Sequence, residues 1–200
     1  MPTPSELLRA RVLPDDADLE AVHDEVSGLL VNHPQPAYLV DFSWRVLACN
    51  RSTEMFFGLR PSLVRAQRPH VLRLLFDAGW GVRPRISNWS QVARHELVAF
   101  FLDQATLGSQ RDRWYGELID SLTVDEDFAR LWDAVQRKGR RALLLDRGRS
   151  PAPLVVRLHG SQDKEEAFTI GYVGLSGDMR LRVARYERLS SEDPRRDQGG

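Results

Sequence analysis

Five histidines and one cysteine are the side chains best suited to carry chemistry in this chain, and their spacing decides what they can do. A metal needs ligands that converge, such as two histidines one helical turn apart or cysteines paired across two residues. His23, His33, His70, His95 and His159 include no such pair, and no Cys-x-x-Cys occurs. His95-Glu96 lacks the second histidine of a zinc-protease helix and reads as a helix-surface pair. Cys49 lies in an apolar stretch with no base beside it, so it reads as a packed thiol rather than a nucleophile. The nucleophile elbow, the glycine-rich phosphate loop and the dinucleotide fingerprint are all missing. Haem would need an axial ligand, and His70 and His95 fall in the helical region where one would sit. A lone histidine is more often a hydrogen-bonded or surface ring. The expectation is no enzyme, no catalytic residue, no metal and no cofactor.

The apolar side chains say more. Trp44, Phe56, Phe57, Phe76, Phe100, Phe128 and Trp132 lie in or beside a long helical region, with Leu72, Leu75 and Leu118 among them. Aromatic side chains dominate core burial, so packing is the plainer reading of any single one. Together they are also the candidate walls of an apolar pocket. Arg73, Arg94 and Arg141 are the candidate anchors for a carboxylate head group, which an arginine holds by paired hydrogen bonds. Arg141 has a second reading, as a solvated helix end. The sequence does not choose among the three.

These residues need elements to position them. Residues 5–31 read as a helix interrupted near Pro14, with Leu19, Val22, Val26 and Leu29-Leu30 at helical spacing. Pro34 and Pro36 stop it. Two short strands follow, 37–40 and 45–49, joined by the hairpin-length connection 41–44. Asn50 suits the N-cap of a short helix 51–57 that Gly58 ends. Residues 59–87 read as irregular and basic, with a helical turn or two at 71–76. Ser87 or Asn88 caps a helix to about Leu107, and Asp112 begins another. Thr123 and Glu126 form a capping-box pair for a helix that Gly139 closes. The period then switches, and 142–145, 154–158, 167–173 and 179–186 read as consecutive antiparallel strands. The order is α+β: an antiparallel sheet of five or six strands with helices packed on one face, plus an N-terminal helix. Residues 1–31 are expected as a helical segment, 32–189 as the ligand-binding domain and 190–200 as a disordered tail. A hollow between sheet and helices is where such folds hold ligands.

Composition narrows the partners. Lys and Arg number 28 and so do Asp and Glu, so the net charge is zero. A balanced chain has no overall pull toward nucleic acid or an anionic membrane. No apolar run approaches the roughly 20 residues that span a bilayer. No secretion signal opens the chain, and the single cysteine fits a reducing compartment, so the cytoplasm is expected.

Pro36-Ala37-Tyr38-Leu39-Val40, then Trp44-Arg45-Val46-Leu47-Ala48-Cys49-Asn50 and Phe56-Phe57-Gly58, resemble the start of the MmyB-like ligand-binding domain. That domain is the effector half of bacterial XRE/Cro-type helix-turn-helix transcription regulators. Leu72 to Phe76, Trp89, Glu117-Leu118-Ile119 and Asp127 to Trp132 follow in the family's order, so the resemblance covers about residues 30–186. It implies a PAS-like fold, a pocket for a fatty acid or similar apolar small molecule, and a link to transcription control. Residues 5–31 are too few and too little basic for a helix-turn-helix domain, so no direct DNA binding is expected. The regulation would run through a protein partner or a homodimer. The alternative reading is a PAS-like dimerisation or protein-interaction module without a ligand, its N-terminal helix packing against a partner's copy.

Overall fold

The computed structural model describes residues 14–147, 153–157, 165–178 and 180–189. The N-terminal stretch before Pro14, the expected tail and most of the polar loop after Arg157 lie outside the described residues. Eight helices and five strands are described. Helices α1 (Asp16–Ala21) and α2 (His23–Val31) come first. The hairpin β1 (Ala37–Asp41) and β2 (Val46–Cys49) follows. Then come α3 (Arg51–Phe57), α4 (Pro61–Gln67), α5 (Val71–Phe76), α6 (Trp89–Leu107), α7 (Arg113–Leu122) and α8 (Glu126–Arg147). The chain closes with β3 (Leu154–Arg157), β4 (Glu165–Gly174) and β5 (Leu181–Arg188).

The strands form one antiparallel sheet in the order β2-β1-β5-β4-β3. This is the expected α+β, PAS-like arrangement. Side chains alternate between the faces of a strand, so the register decides what each face carries. Tyr38 lies opposite Ala184, which lies opposite Tyr172, so a tyrosine, a small residue and a tyrosine make one row facing the main helices. Leu39 and Val183 make the neighbouring row on the back face. The back face is covered as well, since Val22, Val26 and Leu30 pack there against Leu39, Leu47, Leu181 and Val183. The apolar stripe expected to meet a partner's copy is therefore spent on its own sheet. Arg180, 5% exposed, pins this layer by an ion pair to Asp18 of α1 at 2.6 Å.

Asn50 holds the layers together. Its Oδ1 accepts from the amides of Ala37 and Thr53, both at 3.1 Å. Its Nδ2 faces three carbonyls, of Leu30, His33 and Gln35, at 3.3, 3.0 and 2.8 Å. One buried amide thus caps α3, starts β1 and ends α2. The turn before it has its own organiser. The buried Asp41 carboxylate accepts from the Ser43 and Arg45 amides and from Arg45 Nε. That wraps the chain tightly enough to put Trp44 at φ +67°, which matches a type I turn followed by a left-handed residue.

Several expectations are corrected. Residues 142–145 are helical, not a strand: Gly139 (φ 73°, ψ 156°) is non-helical and ends the first part of α8, as expected, but a second helical part follows it to Arg147. A short apolar run does not reveal its period, but here Leu143 is buried and Leu144 half-exposed, as on a helix. Pro61 opens α4 inside the stretch read as irregular, at the position where proline starts helices. Thr123 does not cap α8, since its hydroxyl donates back to the Ile119 carbonyl. Asp125 does, accepting from the Phe128 amide at 2.8 Å. Asn88 precedes α6, but its side chain pairs with Val155 and Pro153 at the edge strand instead of capping.

The Asn50 network predicts that Asn50→Ala destabilises by roughly 2–4 kcal/mol, because it strands several buried polar groups. Asn50→Asp keeps the acceptor and loses the donor, and protonation restores one donor. Its urea midpoint should be lower at pH 8 than at pH 5 relative to the parent; equal midpoints for the two proteins at both values would refute the role.

Candidate functional site

Floor and roof of the hollow come from opposite layers. Tyr38, Ile170 and Tyr186 stand on the sheet; Phe57 of α3 and Val71, Leu74 and Leu75 of α5 come down from above. Val82 and Ile86 close one side, and Val92 and Glu96 of α6 close another. The space left between them is about 40 Å³. That is room for about one water.

Among the described residues Glu96 is the one charged side chain in this lining. It is 5% exposed, and its Oε2 meets no donor among the described residues. Burial pushes its carboxyl up to about 7; Arg182 opposes this and Asp103 adds to it. Tyr38 and Tyr186 share a 3.5 Å contact between their hydroxyls. Burial raises both phenols above their ordinary range, and Glu96 acts in the same direction. Burial raises the Tyr172 phenol too, although part of its ring is exposed. Arg182 bonds Asp103 at 2.8 Å and lies 4.9 Å over the Tyr172 ring. Asp103 also accepts from the Trp44 indole at 3.2 Å. One end of the hollow is therefore polar and the rest apolar.

Helix α5 separates this hollow from a groove on its outer side. The groove encloses about 440 Å³ and is lined by His70 and Arg73, by Arg45 and Arg68, and by Trp80 and Trp114. His70 is buried, and its Nδ1 caps α5 by accepting from the Leu72 amide at 3.1 Å. Its ring meets Phe100 edge-on at 5.2 Å, and burial pulls its pKa down to about 3. A wider cleft of about 1500 Å³ opens beside α1, α2 and β2 and reaches Cys49. Burial pushes that thiol up to about 12, which leaves it a poor nucleophile. Among the described residues no group of His, Cys, Asp and Glu is arranged to hold a metal.

Of the residues singled out in the sequence, Phe57 and Leu75 line the hollow. Arg73 and Leu118 line the outer groove. Trp44, Phe56, Leu72, Phe76, Phe100, Phe128 and Trp132 are core. Phe100 meets Trp44 edge-on at 5.5 Å, and Phe128 stacks on Trp132 at 5.9 Å. Arg94 and Arg141 are exposed and line neither space. Tyr38, Tyr186 and Glu96 were missed. Glu96 had a signal, because it interrupts the apolar stripe of Val92, Ala93, Leu97 and Phe100 on α6 instead of sitting on the surface beside His95. The tyrosines had none, since only the register shows which strand positions face the helices.

Residues 22–159 match the family described as the MmyB-like transcription regulator ligand binding domain. The match covers more than half of the chain, which therefore belongs to that family. No curated protein matches it. No helix among the described residues is long and apolar enough to cross a membrane.

Glu96 makes stability depend on pH in a definite direction. The folded protein keeps this proton to about pH 7, whereas the unfolded chain releases it near 4.5. Between those values the native state binds more protons, so its stability falls as pH rises. Glu96→Gln removes the effect. Its stability relative to the parent should grow from pH 4.5 to pH 7 by on the order of 3 kcal/mol and then level off. His70 titrates in both proteins and cancels in the difference. Urea unfolding across this range checks it, and a flat difference would show that Glu96 is solvated.

Proposed function

We propose, from the chain's membership of the MmyB-like ligand-binding family, that it is a sensor module whose ligand is an apolar, fatty-acid-like small molecule entering the hollow beneath α5. The observation that carries this reading is the hollow itself: apolar walls from two layers, and one polar end where a buried carboxyl oxygen lacks a partner. Small-molecule sites have this character, with few polar groups in an apolar lining.

At about 40 Å³ the hollow is contracted, while drug-sized ligands occupy roughly 300–1,000 Å³. A ligand would therefore favour an expanded state in which α5 and the turns at Ala78–Trp80 and Arg83–Arg85 stand further from the sheet. A ligand shifts such an equilibrium by its differential affinity for the two states. The shift would reach the back face through β1 and β5, whose other sides carry α2. The output is transcription control through a protein partner or a second copy, without direct DNA contact.

The head group would meet Glu96 rather than Arg94 or Arg141. Two carboxyls in one apolar space need at least one proton between them. A medium-chain fatty acid should therefore bind roughly tenfold more tightly at pH 6 than at pH 8. The contraction also supports a second reading, an interaction module whose hollow stays filled by its own side chains. Native mass spectrometry of freshly purified protein, with organic extraction and decanoic acid titrations at both pH values, separates the two. A bound amphiphile, or saturable binding that weakens at pH 8, supports the sensor. A clean unliganded mass with no binding at either pH supports the interaction module.

A further inference from the structure

We propose that the outer groove of α5 is a second ligand site, separate from the hollow, for a flat aromatic carboxylate. Its volume of about 440 Å³ already lies in the range of small-molecule sites, so it needs no expansion. Trp80 and Trp114 are both half-buried and offer aromatic surface to a planar body. The donors in its lining are unevenly used. Arg68 pairs with Asp16, and Arg45 Nε pairs with Asp41 at 2.8 Å. The acid of the lining, Glu117, accepts from Arg113 Nε at 2.6 Å.

Three donor groups remain. Arg45 Nη2 is buried without a hydrogen-bond partner among the described residues. Arg73 Nη2 bonds the neutral Ser121 hydroxyl at 2.7 Å, which leaves its charge without a carboxylate among the described residues. The His70 ring, 6% exposed, is the most constrained. Its Nδ1 accepts from Leu72, so the proton of the neutral ring sits on Nε2. That Nε2 is buried and has no hydrogen-bond partner among the described residues. A neutral N–H donor, a guanidinium edge and an arginine beside two indoles suit a carboxylate joined to a flat apolar ring. An aliphatic acid would forgo the indoles, and a neutral aromatic would leave the donors unpaired.

The two faces of α5 keep this site apart from the hollow, since His70 and Arg73 turn outward while Val71, Leu74 and Leu75 turn inward. Both sites lean on one short helix, so occupancy of the groove would bias the position of the helix that roofs the hollow.

The test uses the full chain labelled with nitrogen-15, and with carbon-13 at the isoleucine δ1-methyls, and follows the indole N–H signals of its five tryptophans, assigned through Trp80→Phe and Trp114→Phe. The probe is 2-naphthoate, with 2-naphthalenemethanol and acetate as controls. Saturable shifts of the Trp80 and Trp114 signals, with Trp44 and Trp89 unmoved, are expected. Arg73→Met should weaken the binding at least tenfold, and Arg73→Lys less. The proposal is overturned if 2-naphthoate moves neither indole, if the alcohol binds as tightly, or if Arg73→Met binds normally. Shifts confined to the Ile86 and Ile170 methyls would place the probe in the hollow and also overturn it, without touching the reading of the hollow.

Discussion

The fold depends on how one buried amide satisfies backbone groups that three elements leave open. The end of α2, the start of β1 and the first turn of α3 all expose polar backbone where the layers meet. Water is excluded there, and an unpaired group costs on the order of 1–3 kcal/mol. The Asn50 side chain takes two amides on one atom and faces three carbonyls with the other. No aliphatic residue does this, and aspartate does half of it. With Asn50 in place, α2 is held over the back of β1 and α3 over the front. The sheet acquires two covered faces from one joint.

That joint also explains where function can sit. The back face is closed by Val22, Val26 and Leu30. The front face is closed by aromatic packing around Phe100 and Phe128, except beneath α5. There Tyr38, Ile170 and Tyr186 of the sheet form the floor. Opposite stands the carboxyl of Glu96, which the chain keeps in an apolar wall at a cost in stability above neutral pH. Buried polar groups retained without a partner are more readily understood as binding determinants than as packing.

Much of this was legible in the sequence for local reasons. Asn50 and Gly58 bound α3 by cap chemistry that acts within a few residues, and the family resemblance rested on the stretch that includes them. Local rules failed where tertiary demands outbid them. Asn88 spends its amide on the edge strand instead of on its own helix. Leu143 to Leu145 have no period of their own, and the core takes Leu143 from a helix. The site was harder to read than the fold. Most of the aromatics that suggested pocket walls fill the core, because large rings are what a core of this size needs. The groups that face the hollow are identified by strand register and by one charge on an apolar helix face. Arginine looked like the natural anchor for an acid, yet Arg94 and Arg141 point to solvent, and Arg73 lies across α5 from the hollow.

Sensing requires the hollow to open for an apolar ligand. The chain has three isoleucines, Ile86, Ile119 and Ile170. Two of them line the hollow, and Ile119 packs against the core elsewhere. Selective δ1-methyl labelling therefore gives a three-signal spectrum. Titration with decanoic acid at pH 6 should move Ile86 and Ile170 saturably and leave Ile119 in place. If Ile86 and Ile170 stay fixed at saturating ligand, the hollow is a closed core and the sensor reading is wrong.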